Sequence, residues 1–306
     1  MSANAAELKQ VRADVQATAR KLLLECAVSG PPTPTDRLLA FCKLAAETFT
    51  FSDMAPPLTP GKRESAKDTA QRQRLARMDL DLKVRGILDS QDRVVYTHAT
   101  LTPEPRRFCT FHELGHYLIS WQQAILCKCT ELDLSGDTLA GFEREANWFA
   151  QECAFQGDHF AAEASDYAIS IRTIRKLAKS YSASFEATAR RFVETHAAPV
   201  ALLGLETRPD LGSSINAGEP LLAVRYAVTS PALRRFNRGY ISAGTLIPFR
   251  HPATSVLLAG SNQIEHCAIN LEFAPDGKTL PCEGEIFYNN YRVFVLAWPG
   301  RNYRGG

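Results

Sequence analysis

The stretch Arg107–His116, which reads RFCTFHELGH, contains two histidines four residues apart and a glutamate directly after the first of them. Successive residues on a helix are about 100° apart, so His112 and His116 lie roughly 40° apart on one face, where both imidazoles can reach one Zn²⁺. Glu113 lies about 100° further round and can act on the attacking water as a general base. The pattern predicts a hydrolytic zinc centre; the alternative is a solvated helix with two incidental histidines.

A catalytic zinc ion needs a third protein ligand, and a helical segment downstream offers two glutamates. Residues 143–150 read EREANWFA, and Glu143 and Glu145 lie about 200° apart on a helix, so only one of them can face the metal. Spacing alone does not choose between the two. We predict one Zn²⁺ per chain, with an exchangeable fourth ligand position.

These two segments together resemble the signatures of the ImmA/IrrE metallopeptidases. The first is similar to the family pattern R-F-x-x-x-H-E-x-G-H and the second to the helix E-x-x-A-N-x-F-A. The helix that begins near Pro34-Thr35-Asp36 and the hairpin before the zinc helix also fit the family's order, so the resemblance covers roughly residues 34–160. It implies that Glu143 is the third zinc ligand, together with His112 and His116. One departure is CAFQ at residues 153–156, where the family usually has L-L-M-P.

The resemblance also implies a biological role. Members of this family cleave small helix-turn-helix repressors and thereby induce damage-response, mobile-element or phage-defence genes. The zinc helix, the helical pair and the β-rich C-terminal part, which is similar to a GAF-like sensor, resemble both the radiation-response member of the family and the CapP type that accompanies anti-phage defence islands. The cysteines favour the CapP type. We therefore expect a partner repressor as the substrate and single-stranded DNA as the activator.

Length and composition limit the class of protein. The chain has 306 residues, of which 45% are hydrophobic and 22% charged, values that are typical of a globular protein. Its 35 Lys and Arg against 33 Asp and Glu give a net charge of +2, so any basic surface must be local. Without a signal-like start or an apolar run of about 18 residues, we expect a soluble, cytoplasmic protein that does not associate with membranes.

The pattern of elements predicts an α+β protein in three segments. Residues 1–165 are expected to form a zincin-like, mainly helical metallopeptidase domain with a β-hairpin or small sheet, in which residues 51–80 are a linker or insertion. Residues 166–200 are expected to form a helical connector that resembles a helix-turn-helix unit. Residues 201–306 are expected to form an α+β, GAF-like sensor domain.

Hydrophobic periodicity and the positions of Pro and Gly locate the elements. Helices are predicted over 5–26, 35–47, 105–121 and 140–155, with two short helices within 170–196. A hairpin is predicted from 82–88 and 93–97, and later strands over 221–228, 245–249, 255–258, 268–273 and 285–298.

Cysteines provide further candidates for the site. Cys109 precedes His112 by almost one helical turn and lies about 60° from it on the metal-facing side, so its thiolate can close the fourth position as an inhibitory switch. A buried small residue is the alternative. Other possible metal or redox groups are Cys127 with Cys129, and Cys267 with Cys282 and His266, against which buried thiols are the simpler interpretation.

A cluster of cations beside an aromatic ring lies in the C-terminal segment. Its members are Arg234, Arg235, Phe236 and Arg238. Such a group suits single-stranded DNA through phosphate contacts and base stacking, and a solvated charged turn is the alternative. Tyr96, His98 and His159 are candidates for stabilising the oxyanion of a tetrahedral intermediate.

Two other functions compete with a site-specific zinc endopeptidase. A non-proteolytic, zinc-containing transcriptional regulator would use residues 170–196 to bind operator DNA, but a structural zinc site is usually closed by four protein ligands and does not need Glu113. A zinc-dependent toxin or housekeeping peptidase of broad specificity does not need the large C-terminal segment. The sequence therefore favours the site-specific endopeptidase.

Overall fold

The computed structural model describes residues 2–54, 69–70, 73–77, 84–126, 135–208, 221–236, 239–274 and 277–300. The chain divides into two compact units, which are Met1–His159 with Ser180–Ala183, and Phe160–Lys179 with Ser184–Gly306. Within the described ranges, no helix combines the length and the apolar character that a membrane span requires.

The first unit combines helices with a small sheet. Its helices are α1 (Ser2–Glu25), α2 (Thr35–Cys42), α3 (Pro103–Leu118), α4 (Ser120–Leu126) and α5 (Gly136–Phe155). Its strands are β1 (Ala45–Phe49), β2 (Gly86–Asp89) and β3 (Val94–His98). In this three-stranded sheet β3 is central, with β1 parallel to it on one side and β2 antiparallel to it on the other.

Helix α5 is packed between α1 and α3. On the α1 side, Arg20 Nε lies 2.7 Å from Oε1 of Glu152, whose side chain is 1% exposed. On the α3 side, a Cβ at Gly115 would lie 3.1 Å from the Cα of Ala146, so the glycine permits a close approach of the two helices. This close packing places the histidines of α3 beside the first turns of α5.

Two predicted helices of this unit differ from the structure. The helix predicted over 35–47 ends at Cys42, because Lys43 adopts a left-handed conformation with φ 56° and the amide of Leu44 bonds back to Leu39. Residues 45–49 form β1 instead. The helix predicted over 105–121 is divided into α3 and α4 at Ile119, whose backbone is extended.

The second unit is built on a six-stranded antiparallel sheet with the order β6-β5-β4-β9-β8-β7. The strands are β4 (Ala201–Thr207), β5 (Leu222–Thr229), β6 (Leu246–Ile247), β7 (Ile264–Phe273), β8 (Lys278–Tyr288) and β9 (Val293–Pro299). The helices that lie wholly or mostly in this unit are α6 (Asp158–Ser165), α7 (Ile171–Ser180), α8 (Phe185–Thr195), α9 (Pro231–Phe236) and α10 (Pro252–Ala259). One hydrophobic core joins alternate residues of the strands to α9 and α10.

The strand predicted over 255–258 is wrong, because these residues belong to α10. The start of this helix is stabilised by His251, whose Nδ1 accepts a hydrogen bond from the amide of Ala253 at 3.1 Å. Its end is marked by Gly260 in a left-handed conformation with φ 58°. The continuous strand predicted over 285–298 is also wrong, since Oδ1 of Asn289 accepts bonds from two following amides and turns the chain between β8 and β9.

The predicted α+β class, the hairpin of β2 with β3 and the two helices within 170–196 are present. Helices α7 and α8 cluster with the C-terminal sheet, and the division of the chain into three segments stays a prediction. Of residues 51–80, the structure describes 51–54, 69–70 and 73–77, and the rest of the predicted linker lies outside the described residues. The GAF-like assignment of 201–306 stays a prediction.

Candidate metal centre

Three side chains from α3 and α5 converge on one point. Nε2 of His112 lies 3.2 Å from Oε2 of Glu143, and Nε2 of His116 lies 3.4 Å from Oε1 of the same carboxylate. The two Nε2 atoms are 3.1 Å apart. In the described part of the chain, these three residues form a group whose ligand atoms all lie within 4.8 Å of one another.

The donor set fits zinc. Two imidazole nitrogens and one carboxylate are a common ligand set of catalytic zinc sites. The Glu143 side chain is 61% exposed, which leaves the group open to water and substrate on one side. Hydrogen bonds with His112 and His116 hold the pKa of Glu143 well below its usual range. Burial lowers the pKa of His116, but hydrogen bonds to Glu143 and Gln122 outweigh this effect, so its pKa is raised.

Arg107 anchors the helix that carries the two histidines. Its guanidinium donates to the carbonyl of Tyr181 at 2.6 Å and to the carbonyl of Thr33 at 2.5 Å. It also lies 5.0 Å from the centre of the Phe111 ring, which is fully buried. The first residue of the motif therefore has a structural role, because it fixes α3 to two other segments of the unit.

Glu113 and Cys109 lie together on the side of α3 that faces β2. A Cβ at Gly86 of β2 would lie 2.4 Å from Oε1 of Glu113 and 2.5 Å from Sγ of Cys109. Burial, together with the charge of Glu113, raises the pKa of Cys109 to about 12, so the thiol is protonated at neutral pH. Cys109 is not part of the converging group. Its inhibitory role stays a prediction, which an unchanged basal activity of Cys109→Ala would contradict.

Gln122 is a site residue that the sequence did not predict. Its Oε1 lies 2.8 Å from Nδ1 of His116. Its Nε2 donates to Oε2 of Glu145 at 2.8 Å and to the carbonyl of Phe142 at 3.2 Å. Trp121 Nε1 donates to the same oxygen of Glu145 at 2.8 Å. The sequence left Glu145 as the alternative to Glu143 for the third ligand. In the structure Glu145 contacts Gln122, which bonds to His116, and it is not one of the three converging residues.

The three oxyanion candidates contact other groups. His98 is fully buried, shares a 2.9 Å hydrogen bond with Thr100, and its ring lies 5.3 Å from that of Phe49. His159 Nδ1 lies 2.8 Å from the hydroxyl of Tyr181. Tyr96 lies on the central strand β3. A role of these residues at the oxyanion stays a prediction.

The two cysteines of the C-terminal sheet, Cys267 and Cys282, are free thiols in the structure. Cys282 on β8 is buried, and burial raises its pKa to about 12. Cys267 on β7 is half-buried, and burial also raises its pKa. Nδ1 of His266 lies 3.5 Å from Oε1 of Glu285. In the described part of the chain, His266 and these thiols do not form a metal group.

The predicted DNA-binding cluster is only partly described. Arg234 and Arg235 are exposed at the end of α9, and the guanidinium of Arg234 also donates to the carbonyl of Thr229. The side chain of Phe236 lies outside the description. The same is true of Arg238, Cys127 and Cys129.

Helix α8 corresponds to the recognition helix of the predicted helix-turn-helix unit, and it packs against the C-terminal sheet. The ring of Phe185 lies 5.0 Å from those of two phenylalanines on β8 and β9. Glu186 pairs with Arg292 at 2.6 Å, and the guanidinium of Arg190 lies 4.7 Å from the ring of Tyr226. Within this helix Arg190 is exposed and the other residues are buried or half-buried, which leaves little of it to enter a DNA groove.

Comparisons with known proteins bear on the family and the fold of this chain. No curated protein matches the sequence significantly. A Mycobacterium tuberculosis transcriptional regulator of known structure is similar in fold, with 14% identity and a TM-score of 0.50 over 95% of this chain and 79% of that one. Residues 70–193, which include His112, His116 and Glu143, match the IrrE N-terminal-like domain of peptidase family M78. This match supports the resemblance to the ImmA/IrrE family and a metallopeptidase-type domain, which implies a metal that the group of His112, His116 and Glu143 could bind.

Proposed function

We propose that the protein is a zinc-dependent, site-specific endopeptidase. The observation that supports this function best is the convergence of His112, His116 and Glu143, with Glu113 on the next position of the same helix. Two imidazoles and a carboxylate would hold one zinc ion and leave a fourth position for chemistry. A purely structural site has no need of this open side or of the neighbouring glutamate.

Glu113 is the proton carrier of the proposed reaction. A zinc ion held by His112, His116 and Glu143 would supply Lewis acidity for the attack of water on the peptide carbonyl. The Glu113 carboxylate accepts one proton as the water oxygen bonds to the carbonyl carbon. It then returns this proton to the amide nitrogen as the carbon–nitrogen bond breaks, which yields a carboxylic acid and an amine.

Strand β2 provides a docking edge for the peptide. In the described part of the sheet, β2 pairs with β3 on one side only. An extended peptide can add to such an edge through backbone hydrogen bonds. Because Gly86 of β2 lies against Glu113, a peptide bound along this edge would pass close to the general base.

The proposed substrate is a small helix-turn-helix repressor, whose cleavage would induce stress, DNA-damage or phage-defence genes. This narrower proposal rests on the family resemblance and on the second unit, which is larger than peptide hydrolysis requires. Single-stranded DNA is the proposed activator, with the exposed Arg234 and Arg235 as its contacts. The CapP type of the family is the proposed context.

Replacement of Glu113 by glutamine tests the proposed function. Candidate repressors are those encoded next to this gene, and their cleavage is followed by gel electrophoresis and mass spectrometry. We expect Glu113→Gln to keep its zinc and its fold but to cleave roughly 10²- to 10⁴-fold more slowly, because an amide cannot accept the proton. The matched control is Glu104→Gln, an exposed position in the first turn of the same helix.

Two outcomes would contradict the endopeptidase. One is cleavage at the wild-type rate by zinc-loaded Glu113→Gln. The other is specific binding of duplex operator DNA without cleavage of any repressor, which would favour the non-proteolytic, zinc-containing regulator.

A further inference from the structure

The hydrogen bonds of the Gln122 side chain determine its orientation. Both acceptors near its Nε2, which are Oε2 of Glu145 and the carbonyl of Phe142, lack a proton to donate. The NH₂ group of the amide has two hydrogens, one for each of these acceptors. The amide oxygen of Gln122 must therefore face His116.

This orientation of Gln122 determines the tautomer of His116. An amide oxygen can only accept a hydrogen bond, so Nδ1 of His116, at 2.8 Å, must carry the proton. In a neutral imidazole the other nitrogen, Nε2, then has a free lone pair. That nitrogen is the atom that lies beside His112 and Glu143 in the converging group.

The position of Gln122 depends on the end of α3. The helix stops at Leu118, and Ile119 adopts an extended backbone with φ −75° and ψ 101° before α4 begins at Ser120. This break brings the residue six positions after His116 back onto its imidazole. Gln122 is fully buried, so water does not compete for its hydrogen bonds.

Glu145 holds Gln122 in place from the other helix. Its carboxylate is 8% exposed, and the same oxygen accepts from Gln122 and from the indole of Trp121, each at 2.8 Å. A shared acceptor at this position keeps the amide from rotating, since a rotated amide would place its oxygen against the carboxylate. The chain Trp121–Glu145–Gln122–His116 thus links α4, α5 and α3.

We propose that Gln122, oriented by Glu145, is a positioning residue that fixes His116 as the Nδ1–H tautomer and presents its Nε2 to the metal. This inference rests on the proposed function, because it assumes that the group binds zinc. Partners of this kind around a ligand histidine typically contribute 10- to 100-fold in metal affinity.

Zinc affinity, measured by competition with a chromogenic chelator, is the first test. We expect Gln122→Met, which keeps the volume but loses the acceptor, to bind zinc roughly 10- to 100-fold more weakly than the wild type. The control is Gln123→Met at the neighbouring exposed position. Glu145→Gln retains an oxygen acceptor, so it should keep more zinc affinity than Glu145→Leu.

A double variant tests whether Glu145 acts through Gln122. We expect Gln122→Met with Glu145→Leu to bind zinc about as weakly as Gln122→Met alone, since the second change removes a contact that has already lost its effect. If the double variant instead loses as much zinc-binding free energy as the two single variants together, Glu145 does not act through Gln122. If Gln122→Met does not fold, the comparison of Glu145→Gln with Glu145→Leu decides the proposal.

The tautomer of His116 is a second, independent readout. In metal-free full-length protein labelled with ¹⁵N-histidine, we expect the NMR pattern of a protonated Nδ1 in the wild type and in Gln123→Met, and its loss in Gln122→Met. Unchanged zinc affinity and an unchanged tautomer in folded Gln122→Met would overturn the inference. A wild type with the Nδ1–H pattern but no zinc affinity would instead overturn the proposed function, so the two failures are distinguishable.

Discussion

Gly86 of β2 lies directly against the carboxylate of Glu113. A Cβ at this glycine would lie 2.4 Å from Oε1 of Glu113, a distance that side chains do not tolerate. The glycine therefore permits the edge strand to approach the proposed general base. The same approach buries Glu113, which is 8% exposed, and holds it on the side of α3 that faces the strand.

The substitution Gly86→Ala should displace Glu113 without removing the metal. The end of the glutamate side chain can move away from the new methyl group, so we expect the fold and the zinc content to remain. A misplaced base costs on the order of 10²-fold in cleavage rate. The measurement is the single-turnover cleavage rate, together with zinc content by atomic absorption.

Gly30→Ala is the matched control, since nothing lies within 4 Å of a Cβ at that position. It should cleave at the wild-type rate. Equal rates for Gly86→Ala and Gly30→Ala would show that the contact between β2 and Glu113 has no part in catalysis.

The ligand set makes a separate prediction about metal content. Glu143→Ala removes one of three converging ligands, so we expect the purified protein to lose its zinc on dialysis against a mild chelator. Glu7→Ala, an exposed position on α1, serves as the control and should retain zinc as the wild type does. Full zinc content in Glu143→Ala would show that Glu143 is not the third zinc ligand.

The two histidines of the metal group were predictable because they are local in sequence. Two histidines one helical turn apart share a face on any helix, and the family resemblance then selected Glu143. Gln122 was not predictable in this way, since its contact with His116 depends on the helix break at Ile119 and on the packing of α5 against α3. No spacing rule places a residue six positions after a histidine on its imidazole.

The fold was predictable where the hydrophobic pattern is strong. Strand β1, which reads AAETF, has four exposed residues followed by one buried residue, so it lacks the alternation that marks a strand. Its pairing with β3 determines its structure instead. For α10 the apolar run suggested a strand, whereas the capping residue His251 and Gly260 after the last turn define a helix.

The cap of α10 predicts a dependence of stability on pH. Nδ1 of His251 accepts the amide of Ala253, which requires a neutral ring, and burial lowers the pKa of His251 in the folded state. The unfolded chain takes up a proton at about pH 6.5, before the folded state does. Because the unfolded state then binds more protons, the stabilising contribution is present at neutral pH and is lost as the pH falls.

We therefore expect His251→Asn to reduce the acid sensitivity of the protein. Asparagine keeps an acceptor suited to a helix N-terminus but does not titrate. Thermal unfolding between about pH 7.5 and about pH 5.5 should show a smaller decrease in Tm for this variant than for the wild type. Ser184→Asn, which changes the cap of α8 without removing a titrating group, should keep the wild-type decrease. Equal decreases in all three proteins would contradict the role of His251.

The last prediction concerns activation by single-stranded DNA. Arg234 and Arg235 are exposed on α9 in a chain whose net charge is only +2, so their attraction for phosphate is local. Because such contacts release counterions, binding should weaken steeply as the salt concentration rises.

We expect short single-stranded oligonucleotides to bind the protein and to accelerate repressor cleavage. The double variant Arg234→Ala with Arg235→Ala should weaken both effects and keep the zinc content, because α9 and the metal group belong to different units. The matched control is Arg225→Ala with Arg250→Ala, which removes two cations elsewhere in the same unit.

Cleavage is measured over a salt series with single-stranded and duplex oligonucleotides. Equal activity with and without DNA at low salt would exclude this signal and would favour a small-molecule ligand of the second unit, where Arg172 and Arg175 line a pocket of about 600 Å³.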